Sequence, residues 1–198
     1  PKDYADTLGV HVNHLNKVLK ETTGKTTSAI ITSRIYQEAK VLLKQTQWNV
    51  SEIAYTLGFE EIELQKEKVK PNSLVKTILD DFHLAYPNVE IQSELSTLEL
   101  NLLLDKFHLT TAITNVLENA VKYGCQNITI KTEIKKDQFT ISIQDDGIGI
   151  PKNKQSLLFE KFYRVQTEKT KDITGTGLGL FIVKEIIEKM NGRIWAES

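Results

Sequence analysis

Four short motifs in the second half of the chain hold residue types that could bind a nucleotide together. In chain order they are NVLENAVKY at residues 115–123, DDGIGI at 145–150, FEKFYR at 159–164 and GTGLGL at 175–180. Amide and ammonium groups can hold a metal ion and phosphates, a carboxylate can bind a base, and glycines let the backbone approach a ligand. The order and spacing of the motifs make coincidence improbable, so we interpret them as one ATP site.

The first motif predicts a helix with one packing face and one face free for chemistry. At 100° per residue its apolar residues share one side, whereas Asn115, Asn119 and Lys122 gather on the other. The amide oxygen of Asn119 suits Mg²⁺, which takes oxygen ligands from phosphates and a few protein groups. Lys122 lies one turn further on, where it can reach a phosphate. Taken alone, the motif fits an ordinary amphipathic helix equally well.

The second motif ends a predicted strand over residues 139–145. Alternation places Asp145 on the face of the apolar residues, so we expect its carboxylate to point to the interior and to need a partner. An adenine amino group would be such a partner, and Gly147 and Gly149 would let the backbone approach the base. The alternative is a hairpin turn, because Asp-Gly is a common turn pair.

The fourth motif places three glycines just before a predicted helix that ends at Asn191 and Gly192. A helix start with small residues offers N–H groups and the positive end of the helix dipole to phosphate oxygens. A lone glycine loop is weak evidence. The interpretation of this motif as a phosphate-binding loop therefore depends on its position after the other three motifs.

Residues from about 62 to 198 resemble the ATP-binding catalytic domain of a sensor histidine kinase, in the GHKL superfamily that includes gyrase, mismatch-repair and heat-shock chaperone ATPases. The resemblance implies ATP and Mg²⁺ as cofactors and a mobile lid over residues 151–174. It implies catalytic roles for Asn115, Asn119 and Lys122, with Asn119 on the metal. It further assigns Tyr123, Asp145, Gly147, Gly149, Gly175, Thr176, Gly177, Leu178 and Gly179 to ATP, and Phe159, Phe162 and Arg164 to a phenylalanine box in the lid.

The rest of this region predicts a sheet covered on one face by helices. The patterns indicate a helix over residues 73–83, strands over 89–94 and 127–134, and a hairpin turn over 135–138 that leads into the strand at 139–145. A last strand is expected to begin at Arg193. The predicted fold class is therefore α+β, with a helical helix-turn-helix part followed by a GHKL (Bergerat-type) α/β sandwich.

The first 61 residues predict short helices with tight breaks, which is helix-turn-helix spacing. Helices are expected over residues 2–8, 13–22 and 28–45, and a further helix-turn unit over 51–59 with Ser51 as its cap. The long helix carries an apolar stripe that we expect to be buried, formed by Ile31, Ile35, Ala39, Leu42 and Leu43.

Residues 1–61 resemble part of the DNA-binding domain of AraC-type transcription regulators, in which a long helix joins two helix-turn-helix units. The resemblance lies in LGV at 8–10, RIYQEAKVLL at 34–43 and VSEIAYTLGF at 50–59. It implies that Asn13, His14, Asn16 and Lys17 lie on a recognition helix that contacts DNA bases and phosphates. The alternative for these four residues is an ordinary exposed helix face.

The match to the AraC-type domain stops near residue 61, before the second recognition helix of that family. Residues 1–61 contain seven Lys or Arg and seven Asp or Glu, so the basic bias that supports phosphate binding is absent. No Gly-, Ser- or Pro-rich linker separates the two parts. We interpret the chain as an artificial chimera or as joined segments of a longer polypeptide; a natural parent would be a one-chain two-component system.

Composition limits the function classes that remain. The 198 residues have a formal net charge of −1 and 26% charged residues, which predicts a soluble protein without a general attraction to nucleic acid or anionic lipid. Cys125 is the only cysteine and fits a reducing compartment. No apolar run approaches the roughly 20 residues of a membrane span. We expect a cytoplasmic protein or the cytoplasmic part of a membrane-bound sensor.

The function predicted from these patterns is binding of Mg-ATP and donation of its γ-phosphoryl group to a histidine. His11, His14, His83 and His108 all lack the acceptor pattern of the resembled kinases. The resemblance implies three partners: a phosphoacceptor histidine domain, a response regulator and a second copy in the full-length parent. Two alternatives remain, which are an AraC-type sequence-specific DNA-binding regulator and a non-catalytic nucleotide-binding interaction module.

Overall fold

A computed structural model describes residues 2–45, 48, 50–58, 62–135, 138–168, 170, 171 and 173–198 of the chain. The predicted cap by the Ser51 side chain, the end of the second helix-turn unit at residue 59 and the centre of the hairpin turn at 136 and 137 lie outside the described part. The chain divides into two compact units, residues 1–60 and residues 61–198. Among the described helices, none is long and apolar enough to cross a membrane.

The first unit is helical. It contains α1 (Lys2–Thr7), α2 (Val12–Thr23), α3 (Thr27–Gln45) and α4 (Val50–Thr56). Gly9 and Gly24 separate the first three helices with φ angles of +66° and +71°, the left-handed conformation that commonly ends a helix. The helices predicted from the sequence are confirmed, with ends shifted by one or two residues.

The apolar stripe of α3 is less buried than its sequence pattern predicts. Most of its members are half-buried, and Leu43 is 55% exposed, so the prediction of a buried Leu43 is wrong. The reason is that α3 packs against short neighbours, α2 and α4, which cover only part of its surface. Among the described residues of this unit, the buried hydrophobic side chains are those of Ala5 and Ile53.

The second unit is a sheet with helices packed against it. Its elements are β1 (Glu67–Val69), α5 (Pro71–Ala85), β2 (Glu90–Glu94), β3 (Leu102–Leu104), α6 (Lys106–Lys122), β4 (Asn127–Lys135), β5 (Gln138–Asp145), α7 (Lys152–Gln155) and α8 (Gly179–Lys189). Strand β4 is central, with β2 parallel on one side and β5 antiparallel on the other, while β1 and β3 form a separate antiparallel pair. The predicted α+β sandwich is confirmed.

The core of the second unit forms where the inward face of β4 meets the apolar faces of α5 and α6. Ile128 and Ile130 are buried on that face, as strand alternation predicts. Thr132 takes the next inward position, and its hydroxyl donates to Asn72 Oδ1 at 2.7 Å and accepts from the Ser96 N–H at 2.9 Å. Asn72 Nδ2 in turn donates to Ser96 O at 2.8 Å, so this buried polar group is satisfied within the unit.

The end of the chain departs from the sequence prediction. Residues 192–198 form neither helix nor strand, so the strand expected to begin at Arg193 is wrong. The polar groups of Ser198 bond to the segment after β5 instead of to a sheet neighbour. The Ile150 N–H donates to Ser198 Oγ at 3.0 Å, and Gln155 Nε2 donates to Ser198 O at 3.3 Å.

Candidate nucleotide site

Helix α6 is fixed at both ends and along one face. Asp105 is its N-cap, and Asp105 Oδ1 accepts from the His108 N–H at 2.8 Å. Leu109, Ile113 and Leu117 recur every four residues and are buried in the core. Gly124 follows the helix with a φ of +85° and turns the chain away. The polar residues on another edge of α6 are therefore held in one position.

That edge brings together the three residues of the first motif. A Cβ built on Gly179, the first residue of α8, would lie 3.5 Å from Asn115 Oδ1 and 3.8 Å from Asn119 Nδ2. A Cβ built on Gly175 would lie 2.6 Å from Lys122 Nζ. The glycines of the fourth motif therefore leave the space that these side chains occupy. The three residues therefore lie directly beside the glycine loop.

The prediction that the polar face of this helix is fully free is wrong at Asn115. This residue is 6% exposed, and its Nδ2 donates to Thr111 O at 3.0 Å. Helix α8 packs against α6 at this edge and covers Asn115, whereas Asn119 is half-buried and Lys122 is exposed. The side chains that reach furthest toward solvent are therefore those of Asn119 and Lys122.

The second motif forms a tight loop against the end of α6. The Gly147 N–H donates to Asp145 Oδ1 at 2.9 Å, and the Ile148 N–H donates to Tyr123 O at 3.3 Å. A Cβ on Gly147 would lie 2.8 Å from Asp145 Oδ1 and 3.0 Å from Tyr123 O, so a side chain there would displace the Asp145 carboxylate. Asp145 is exposed, which corrects the expected interior position. Asp145 pairs with the buried Ile128 and so lies on the inward face, as alternation predicts, but at the end of the edge strand β5 its side chain stays exposed.

Asp146 is a site residue that the sequence interpretation missed. Its Oδ1 accepts from the Gln126 and Asn127 N–H groups at 2.7 and 2.9 Å, and its Oδ2 accepts from Asn127 Nδ2 at 2.6 Å. The side-chain and backbone hydrogen bonds from Asn127, with that from Gln126, lower the pKa of Asp146 to about 2. The sequence contained one sign of this role, the pair Asp145-Asp146. Adjacent residues at a strand end point in opposite directions, so the two carboxylates could not both serve the same partner. Asp146 joins β4 to β5 and so fixes where Asp145 points.

The glycine loop rests on the backbone of the lid. Gly177 has a φ of +74°, and a Cβ there would lie 2.7 Å from Phe162 C. The Phe162 N–H donates to Gly177 O at 3.1 Å. Thr176 Oγ1 accepts from the Leu178 N–H at 3.1 Å. Because the Leu178 side chain is fully buried, Leu178 can contribute to a ligand site only through its backbone.

The lid carries the three residues of the phenylalanine-box pattern in different settings. Phe159 is half-buried, whereas Phe162 is 63% exposed and has a φ of +64°, which costs a non-glycine residue about 1–2 kcal/mol. Arg164 Nη2 donates to Ile173 O, across the lid. Buried Thr170 donates through Oγ1 to Val165 O at 2.7 Å and accepts from the Thr167 N–H at 2.8 Å. The described lid is therefore folded on itself.

The donor set of the site fits Mg²⁺. In the part of the chain that the structure describes, no three His, Cys, Asp or Glu residues come together as metal ligands. The half-buried Asn119 amide beside Gly179 offers a neutral oxygen donor, to which bound phosphates would add their own oxygens. That combination suits Mg²⁺, which keeps several waters and binds few protein groups.

The residues implied to contact DNA do not all face the same way. Asn13, His14 and Lys17 are exposed on α2. Asn16 is half-buried, and its Oδ1 accepts from the Thr27 N–H at 3.4 Å, at the start of α3. Asn16 therefore joins α2 to α3, and the exposed surface contains the other three.

Family comparisons define the class of each unit. Residues 104–198 match the family described as histidine kinase-, DNA gyrase B- and HSP90-like ATPase, and residues 4–63 match a helix-turn-helix domain. The chain therefore carries an ATPase domain of that family, preceded by a helix-turn-helix domain. Within the ATPase family, the relatives below, to which the second unit is similar, are sensor histidine kinases.

The chain is 36% identical over 143 residues to the sensor protein kinase WalK of Staphylococcus haemolyticus and of Staphylococcus saprophyticus. The alignments cover 70% of this chain but only 24% and 23% of those proteins, so the chain spans about a quarter of their length. The mycobacterial sensor histidine kinase MprB is 26% identical with a TM-score of 0.55, over 64% of this chain and 81% of that one. The catalytic domain of histidine kinase ThkA shares the fold, at 24% identity and a TM-score of 0.57, over 68% and 88% of the two chains.

Proposed function

We propose that residues 62–198 bind Mg-ATP and present its γ-phosphate to a histidine on another domain. The observation that supports this most directly is the juxtaposition of Asn115, Asn119 and Lys122 with the glycine loop. The match of residues 104–198 to the ATPase family supports the same assignment. In the proposed transfer a histidine nitrogen bonds to the γ-phosphorus, the bond to the bridging oxygen breaks, and ADP leaves with that electron pair.

The chain's own residues contribute by position and charge. Asn119 would hold Mg²⁺, which neutralises charge on the phosphates when bound, and Asn115 would keep the Asn119 turn of α6 fixed against α8. The ammonium group of Lys122, which borders Gly175, would pair with a phosphate oxygen. Catalysis of this type is mostly positioning and charge neutralisation, so a preformed surface of this kind suits it.

Asp145 is the proposed contact for the base. Its carboxylate is exposed at the end of β5 and already accepts the Gly147 N–H, so it is aimed at the loop over which a base would lie. A carboxylate accepts hydrogen bonds only, which selects adenine, with its amino donor, over bases that present a carbonyl there. A Cβ on Gly147 would lie 2.8 Å from Asp145 Oδ1 and one on Gly149 would lie 3.1 Å from Ser198 Oγ, so the two glycines leave the space that these groups occupy.

The proposed partners follow from the same assignment. The acceptor would be a phosphoacceptor histidine domain, with a response regulator as the next recipient and a homodimer as the working assembly of the parent protein. We also propose a cytoplasmic location, where ATP and reduced thiols such as Cys125 are both present.

Calorimetric titration of ATP with and without Mg²⁺ tests the nucleotide proposal. We expect Mg²⁺-dependent binding by the unchanged chain and at least a tenfold loss in Asp145→Asn, or about 1.4 kcal/mol. Asp81→Asn is the matched control, because Asp81 is an exposed aspartate on α5 and should leave the affinity unchanged. A folded chain that binds no Mg-ATP would refute the proposal.

A second proposed function is DNA binding through α2. The match of residues 4–63 to a helix-turn-helix domain and the exposure of Asn13, His14 and Lys17 support it. Selection from random duplexes at low salt, followed by gel shift, should yield sequences that the unchanged chain binds and that Lys17→Ala binds more weakly. Lys44→Ala is the control at an exposed lysine of α3. Equal binding by all three proteins would contradict a role for α2.

A further inference from the structure

A short segment leads into the second unit and bonds to two of its helices. We call residues 62–65 the connector. The Gln65 N–H donates to Asp105 Oδ2 at 2.6 Å, and Lys189 Nζ donates to Ile62 O at 3.1 Å. Asp105 caps the start of α6 and Lys189 is the last residue of α8. The connector is therefore tied to one end of each helix.

The opposite ends of the same two helices form the candidate nucleotide site. Asn115 and Asn119, in the later part of α6, lie beside Gly179 at the start of α8. The two helices are therefore antiparallel, with the connector at one end and the site at the other. Asp105 and Asn119 are 14 residues apart, which is about 21 Å at a rise of 1.5 Å per residue.

The tie at Asp105 is the stronger of the two because it is buried. Asp105 is 2% exposed, and its second oxygen also lies 3.0 Å from His108 Nδ1. Burial raises the pKa of the Asp105 carboxyl, but contacts from His108 and the Gln65 N–H outweigh it and lower the pKa below its ordinary value. Hydrogen bonds to an ionised acceptor are shorter and stronger than neutral ones. The connector is therefore held firmly to the first turn of α6.

The surroundings leave the connector room to move if this tie is released. An open cavity of about 460 Å³ lies beside it, lined by Glu63, Gln65, Lys66, Glu67, Asp105, Lys106, Phe107 and His108. Open space therefore lies beside the connector on the side where Asp105 and His108 hold it.

We infer that Asp105 is a positioning residue that couples the connector to the nucleotide site. The inference rests on the proposed function, because it concerns the regulation of that site. Packed helices shift as units, so a displaced connector moves α6 relative to α8 and changes the distance between Asn119 and the glycine loop. The affinity for Mg-ATP changes with it. By linkage, bound Mg-ATP must strengthen the tie between Gln65 and Asp105.

The variant Asp105→Ser separates the tie from the helix cap. Serine is a good N-cap and can still accept the His108 N–H, but its side chain is too short to reach Gln65. In calorimetry on the full chain, we expect Asp105→Ser to weaken Mg-ATP binding at least about fivefold. Unchanged binding in a folded Asp105→Ser chain would overturn the inference.

Asn72→Ala is the control for a merely structural effect. Asn72 is a polar hub elsewhere in the unit, bonded to Ser96, Leu98 and Thr132. Its loss should lower the free energy of unfolding while the affinity for Mg-ATP changes less than about twofold. An equal loss of affinity in Asn72→Ala and Asp105→Ser would show a general effect of instability and would overturn the inference.

Amide hydrogen exchange on the unchanged chain decides the question even if Asp105→Ser fails to fold. Saturating Mg-ATP should slow exchange of the Gln65 N–H more than that of the Ser96 N–H, which donates to Thr132 Oγ1. Equal slowing, or none, would overturn the coupling alone. A chain that binds no Mg-ATP would instead overturn the proposed function itself.

Discussion

The two units bury their apolar residues to very different extents. The second unit has a continuous core in which α5 and α6 pack on β4. Among the described residues of the first unit, Ala5 and Ile53 are the buried hydrophobic ones, and α3 exposes Tyr36, Val41 and Leu43. Units of about 60 residues are marginal in stability because they bury a small share of their surface. The spacing of apolar residues therefore predicts the helices of both units. It is accompanied by an extensive buried core only in the second unit.

Truncating one leucine in each unit tests this contrast most strongly. Leu117→Ala removes a side chain that is fully buried in the second unit and should lower the free energy of unfolding by about 3 kcal/mol. Leu43→Ala in the first unit should change it by less than about 0.5 kcal/mol, because that side chain is largely exposed. Urea unfolding followed by circular dichroism measures both values. A large loss of unfolding free energy in Leu43→Ala would show that Leu43 belongs to a buried core, contrary to this comparison.

Two glycines with nearly the same φ angle provide the next comparison. A Cβ on Gly177 would lie 2.7 Å from Phe162 C, whereas one on Gly24 would meet nothing within 4 Å. Gly177→Ala should therefore combine backbone strain with a clash and lower the free energy of unfolding by about 2–3 kcal/mol. Gly24→Ala should cost about 1 kcal/mol from strain alone.

The same two variants also distinguish an effect on stability from an effect on nucleotide binding. Because Gly177 lies in the candidate phosphate loop, its alanine variant should also weaken Mg-ATP binding, as measured by calorimetry. The Gly24 variant should bind ATP normally. If both variants bind equally, the close approach of the loop to Phe162 has no role in the site.

A fall in pH should weaken the second unit through Asp146. Its folded pKa of about 2 is below the ordinary value, so its contribution is present above pH ~4 and is lost as pH falls from ~4 toward 2. The thermal midpoint of the unchanged chain should drop in that window. Asp146→Asn should show a smaller drop, and Asp81→Asn the same drop as the unchanged chain. Parallel curves for all three proteins would rule out this role.

The smallest expected effect concerns the contact between α2 and α3. Asn16→Ala removes the acceptor of the Thr27 N–H, and the bond is long at 3.4 Å. We expect a loss of about 0.5 kcal/mol, the low end for a helix cap, in thermal unfolding of the first unit. Asn13→Ala is the matched control at an exposed position of the same helix and should have no effect. Equal stability of the two variants would show that the Asn16 side chain does not link α2 to α3.

Periodicity predicted the longer helices and strands of both units, because burial repeats along them, but it did not predict the short β1, β3 and α7. The helix around Asn115, the alternation of Ile128 and Ile130 and the break at Gly24 all follow from local pattern. The burial of Asn115 could not be predicted, because it depends on α8, which lies more than 60 residues further along the chain. The tie between Asp105 and Gln65 is likewise a tertiary contact across 40 residues.

The candidate site shows the same division. Residue types and spacing indicated Asn119, Lys122 and the glycines, because the chemistry of phosphate binding needs those types. They did not indicate which side chains would be buried, exposed or used to hold a neighbour in place. Asp145 and Asp146 are both aspartates, so residue type does not separate their roles. Only the register between β4 and β5 brings Asp146 to Asn127.

The internal hydrogen bonds of the lid have a consequence for the entropy of closure. Arg164 bonds to Ile173, and Thr170 bonds to Val165 and Thr167, so much of this segment is ordered before any ligand arrives. Ordering one residue from a flexible loop costs about 1–2 kcal/mol. A segment prefolded in this way would lose few conformations in the lid closure that the sequence resemblance implies, and it would move as a folded unit about its two ends.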